Sequence, residues 1–110
     1  MGRHLEKEIE KLKRKALGLS ALVEETVHKA IASVETADVR LADQVIESDT
    51  RVDDMEVDVE EECLKILALH QPVAVDLRYI VGVLKLNSDL ERIADLAVNM
   101  AEQARPLATA

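Results

Sequence analysis

Residues 67–78 read Leu67-Ala68-Leu69-His70-Gln71-Pro72-Val73-Ala74-Val75-Asp76-Leu77-Arg78, between two long amphipathic runs. The residue before a proline avoids the helical region, while proline itself suits the first helical turn. His70-Gln71-Pro72 is therefore expected to close one helix and open the next within a few residues. So short a connection makes the two helices antiparallel neighbours. Upstream, Val45, Val52, Val59 and Ile66 keep a seven-residue beat, with Met55 and Leu69 beside it, which predicts a helix over residues 39–69. Downstream, Val73, Leu77, Ile80, Leu84, Ala94, Val98 and Ala101 predict another over 73–104. Pro106 is expected to end it, leaving 107–110 frayed.

Before residue 39, Leu5, Ile9, Leu12, Ala16, Leu19, Val23, Val27, Ala30 and Val34 recur at steps of three and four. They predict a first helix from residue 5 to residue 33 or 35, with Thr36 or Asp38 capping the next. Gly18 lies inside the first helix and Gly82 inside the third. Close packing against a neighbour is the expected reason for Gly18. The fold class is all-α: an antiparallel up-down three-helix bundle forming one domain over 5–106, with helices of roughly 45 Å.

Composition agrees. The chain has 110 residues with three Gly, two Pro, one Tyr, no Phe and no Trp, so the core is aliphatic and a β-sandwich is disfavoured. The net charge of −8 argues against non-specific nucleic-acid binding, which needs a basic face. Cys63 is the only cysteine, which excludes a disulfide framework and a thiolate metal site; it is expected in the core. No apolar run approaches the roughly 20 residues of a membrane span. Met1-Gly2-Arg3-His4-Leu5-Glu6 has no signal-peptide core, so a cytoplasmic protein is expected.

From Glu35 to Glu62 there are twelve Asp and Glu against two Arg. Within that run Asp49, Asp53, Glu56 and Glu60 alternate at four and three, along the edge of the apolar seam. The third helix carries Glu91 in the row Leu77, Leu84, Glu91, Val98, where a helix that only packs would carry Leu or Ile. Asp95 follows one turn later on the same face. Asp49-x-x-x-Asp53 and Glu91-x-x-x-Asp95 are nearly equidistant from the connection at 70–72, so the two pairs should lie level. Four carboxylates at one height repel each other unless a cation joins them. Oxygen donors suit Mg²⁺, Ca²⁺, Mn²⁺ and iron, whereas the absence of His and Cys argues against zinc. The plainer alternative is that Arg51, Lys85 and Arg92 neutralise these acids in surface ion pairs. Glu25-x-x-His28 matches one element of a di-iron carboxylate site, but such sites need two. His4 and His70 are expected in a disordered terminus and a turn, and Tyr79 packed with its hydroxyl outward.

Taken together, Glu61-Glu62-Cys63-Leu64, the QPVAVDLR block at 71–78 and Asn87-Ser88-Asp89-Leu90-Glu91-Arg92-Ile93-Ala94-Asp95-Leu96-Ala97-Val98-Asn99 resemble the PhoU family of bacterial phosphate-signalling proteins. The resemblance covers about residues 5–106. It implies a regulator, not an enzyme, that acts with a phosphate ABC transporter and a sensor histidine kinase to repress the phosphate-starvation response. It also implies metal binding through an E(D)-x-x-x-D motif, carried here by Asp49 with Asp53 and Glu91 with Asp95. The metal would be a divalent or iron-type ion (Fe, Mn, Mg, Zn or Ca). PhoU-like proteins hold two three-helix repeats where this sequence holds one. It is either a single-repeat protein or a fragment, and a homodimer that rebuilds the six-helix arrangement is expected. Ala94 stands where the family usually has Gly, and Leu96 where it often has His.

Overall fold

A stripe of aliphatic side chains needs a partner surface, and each helix here finds it in the other two. The computed structural model describes residues 2–109, with side chains described for 3–107. α1 spans Gly2–Thr36, α2 Val39–His70 and α3 Ala74–Thr109. His4 near the start of α1 meets His70 at the end of α2, their rings 5.5 Å apart. Asp43 near the start of α2 meets Arg105 near the end of α3 at 3.3 Å. The helices thus run up, down and up, so α1 and α3 are parallel, and the expected all-α three-helix bundle forms. The long axis is 60 Å against 17 and 16 Å across. It exceeds the expected 45 Å because the helices hold 35, 32 and 36 residues.

The first connection is built by Ala37 and Asp38. Ala37 adopts a left-handed conformation with φ 51°. Its N–H donates to Val34 O at 3.4 Å and the Asp38 N–H to Ser33 O at 3.0 Å, the two bonds of a Schellman closure. Asp38, not Thr36, caps α2: its Oδ1 accepts from the N–H groups of Arg40 at 2.9 Å and Leu41 at 3.2 Å. The Thr36 hydroxyl donates instead to Ala32 O at 2.7 Å. A left-handed alanine carries a Cβ penalty that glycine avoids. Ala37→Gly is therefore expected to raise stability by about 0.5–1 kcal/mol, read as a shift of the urea midpoint at unchanged slope. An unchanged or lower midpoint would refute that account.

At the second connection Gln71 ends α2 in the left-handed region, its N–H donating to Leu67 O at 3.3 Å. Pro72 is buried, and α3 begins only at Ala74, φ 52°. Pro72 therefore lies outside the helix rather than in its first turn, because the left-handed Gln71 turns the chain inward before α3 can start. Nor does Pro106 end α3, which continues to Thr109. A proline so near the end removes one intrahelical bond with only a few residues to follow, so the backbone can carry on. Leu107 is accordingly helical, and Ala110 lies outside the described residues. His4 is also helical, its ring near that of His70 and tilted to it by 48°, rather than in a loose terminus.

The core divides in two along the axis. Toward the second connection it is made of large aliphatics, with Leu12, Leu19, Ile66 and Ile80 fully buried. Toward the first it is alanine-based: Ala30, Ala42, Ala97, Ala101 and Ala104 around Val45. Cys63 is buried as expected, and burial pushes its thiol up to about 11. Gly18 does not mark a close helix contact, since a Cβ there would meet only Met55 Cε at 3.6 Å, an ordinary separation.

On α3 the expected apolar side is buried only in part: Ile80, Ala94 and Ala101 are in the core as expected, but Val73, Leu77, Leu84 and Val98 are not. Ile80, Val83, Asn87, Leu90, Ala94, Ala97, Ala101 and Ala104 face the core. Leu77 and Glu91 are exposed, and Leu84 and Val98 half-buried. A helix between two neighbours buries the arc facing the gap between them, which turns the 77/84/91/98 row to the edge beside α2.

Candidate metal centre

Register fixes this site. Asn87 Nδ2 donates to the backbone oxygen of Glu56 at 3.1 Å, tying α3 to α2 at one height. One turn farther from the second connection, Asp53 comes beside Glu91, and a turn beyond that Asp49 beside Asp95. The electrostatics agree. The Asp49 carboxyl is raised above its ordinary value, first by burial and then by the carboxylates of Asp53 and Asp95. The level match expected from spacing therefore holds, and Asp49, Asp53, Glu91 and Asp95 share one edge of the α2–α3 groove.

Glu56 weighs more in the cluster than its place in the acidic row suggests. It lies in the seam, 7% exposed, rather than along its edge. Burial first, and then Glu91, Asp53 and Asp95, push its carboxyl up to about 7. Its Oε1 is buried with no hydrogen-bond partner, as is Oδ1 of Asn87. Two buried oxygens without donors are costly beside a row of carboxylates. The signal was present in the sequence: Glu56 is seven residues from the core Cys63, and Asn87 seven from both Ile80 and Ala94.

No lysine or arginine relieves the cluster. Among the described residues Arg92 pairs with Asp89 at 3.3 Å, and neither Arg51 nor Lys85 forms an ion pair. The edge between α1 and α2 is different. There Lys15 Nζ sits 3.0 Å from Asp58 Oδ1 and 3.4 Å from the buried Glu62 Oε2. Lys11 reaches Glu62 at 3.8 Å and Lys65 reaches Glu8 at 3.7 Å. Acids thus have lysine partners along one groove, although Glu8 Oε2 and Glu62 Oε1 there are likewise buried without a hydrogen bond, and have none along the other. Glu25 pairs with Lys29 at 3.1 Å and His28 with Glu24 at 3.9 Å on exposed positions of α1, so neither joins the cluster.

The donor set suits a hard cation: oxygen only, with unpartnered buried oxygens at its base. The side chains as they stand do not close a shell, because among the described residues no three His, Cys, Asp or Glu converge on one point. No described helix is long and apolar enough to cross a membrane.

The three-helix fold itself is found in a protein of known structure. The pattern of the PhoU domain matches residues 16–104. The chain is 44% identical over 102 residues to the phosphate-specific transport system accessory protein PhoU homolog of Aquifex aeolicus, covering 93% of this chain and 46% of that protein. To homolog 1 of Thermotoga maritima it is 41% identical over 100 residues, covering 91% and 43%. The crystal structure of PhoU from Pseudomonas aeruginosa superposes with a TM-score of 0.92 at 40% identity, covering 94% of this chain and 50% of that one. The chain spans about half the length of the relatives it matches. Matched over most of its length by the domain pattern and carrying the same three-helix fold, the chain belongs to the PhoU family.

Proposed function

We propose that this chain is a metal-binding regulatory adaptor of phosphate uptake and not an enzyme. The observation that carries the metal reading is the α2–α3 groove, where carboxylates stand level without a basic partner above the orphaned oxygens of Glu56 and Asn87. Asp49, Asp53, Glu91 and Asp95 would hold the ion, with Glu56 beneath them. Magnesium, manganese, iron or calcium fits these donors better than zinc. The bound cation would cancel their repulsion and fix α2 against α3, so that its presence sets the shape offered to a partner.

The regulatory part rests on family membership. The relatives named above are accessory proteins of a phosphate-specific transport system. The proposed partners are a phosphate ABC transporter and a sensor histidine kinase, in the cytoplasm. A homodimer is proposed as well, by the same family resemblance.

Thermal melts with and without cation test the site. At a hundredfold excess over Kd, Mn²⁺, Mg²⁺ or Fe²⁺ should raise the melting temperature by about 10 °C. The double variant Glu91→Ala, Asp95→Ala should lose that rise while staying folded, since both residues are exposed. No shift of the wild type with any cation would leave a helical interaction module without metal.

A further inference from the structure

The chain holds three histidines, and the fold brings two of them together. His4 stands in the first turn of α1 and His70 in the last turn of α2. Their ring centres are 5.5 Å apart and the ring planes are tilted by 48°. Among the described residues neither imidazole makes a hydrogen bond or an ion pair. Neutral imidazole is a common metal ligand. Two imidazoles on one tetrahedral ion, each nitrogen at about 2.1 Å, have their centres about 5 Å apart. The pair is therefore already at ligand spacing, although it comes from two different helices.

A third donor lies beside it. Glu8 follows His4 by one turn on the same face of α1. Its side chain is 18% exposed, and its Oε2 is buried without a hydrogen bond. Its one ion-pair partner among the described residues, Lys65, stands off at 3.7 Å. Ring packing alone would account for the distance between the histidines, but not for the unsatisfied carboxylate oxygen next to them.

We propose that His4, His70 and Glu8 form a second metal site, at the end of the bundle that carries the second connection, for a borderline divalent ion, zinc in the first place. Two imidazoles and a carboxylate suit zinc, whereas the all-oxygen groove between α2 and α3 suits harder cations. Glu8 turns from Lys65 to complete the set, and water fills the fourth position. The ion joins the first turn of α1 to the last turn of α2, beside the buried Pro72. His70 and Asp53 are roughly 25 Å apart along α2, so the two sites are separate, and this one does not depend on whether the acid groove holds metal.

Proton–carbon spectra of the imidazoles in the full chain, titrated with Zn²⁺ at about pH 7.5, test the site. The His4 and His70 signals should shift together and level off at one zinc per chain, while those of the exposed His28 stay in place. His4→Gln and His70→Gln should each weaken zinc binding at least about tenfold, and Glu8→Gln about tenfold. None of the three side chains is in the core, so the melts of these variants in chelator should match the wild type. A large excess of Mg²⁺ should not displace the zinc. Unmoved His4 and His70 signals, or equal unsaturating shifts of all three histidines, would overturn the site. So would zinc displaced by Mg²⁺, or bound at full strength by His4→Gln or His70→Gln. Full-strength binding by Glu8→Gln would overturn the three-residue set.

Discussion

Glu56→Gln is expected to raise the melting temperature of the metal-free protein at pH 8 by about 8 °C and to flatten its pH dependence. The folded carboxyl rises from 4.5 to about 7, so the folded state holds its proton more tightly than the unfolded chain. The stability this supplies is complete below about pH 4.5 and is lost as the pH rises through about 7. Above that, the buried carboxylate faces Glu91, Asp53 and Asp95 uncompensated. The full shift corresponds to about 3 kcal/mol, reduced to about 2 kcal/mol by water at the rim of the cluster. Glutamine has the shape of the protonated acid and does not ionise, so the variant should match wild type near pH 5 and exceed it at pH 8. Asp49, raised for the same reasons, adds a smaller slope of the same sign. Melts in chelator across this range check the point, and equal slopes in both proteins would refute it. With Mn²⁺ present the order should reverse, because the wild type gains a ligand that glutamine supplies poorly.

The second large effect lies in the core. Leu19→Ala is expected to cost about 3 kcal/mol, because Leu19 is fully buried among large aliphatics that cannot all collapse into the space. For a domain whose whole stability is about 5–15 kcal/mol that is a large share. At the other end the opposite change should hurt. Ala101 is fully buried where the core is built of alanine, so Ala101→Leu should cost about 1–3 kcal/mol through overpacking. Urea titrations of the two variants test the division of the core. If Ala101→Leu were neutral, the alanine end would be loosely packed rather than close.

Sequence alone went far with the helices. Their number, order and antiparallel course follow from periodicity and from the Asp38 and Pro72 punctuation, because a seven-residue beat of Val and Ile has few other uses. The level match of Asp49 and Asp53 with Glu91 and Asp95 was also legible, since two helices joined by a tight turn must keep step at 1.5 Å per residue. Pro72 and Pro106 were misplaced because a proline limits only its local backbone, and the left-handed Gln71 decides where α3 begins.

Which face of α3 is buried could not be read from the chain. α3 carries apolar residues on several sides, so the rows 77/84/91/98 and 80/87/94/101 look equally fit to be the core. The choice depends on the rotation at which α3 meets α1 and α2 together. That rotation moves Glu91 to an edge, sinks Glu56 and Asn87 into the seam, and leaves the Tyr79–Leu86–Ile93 stripe facing solvent. The sequence determined the helices and the height of the acids, because both are counted along one dimension. The structure decided the depth of each acid and the face left uncovered, because depth is set by neighbours far away in the chain.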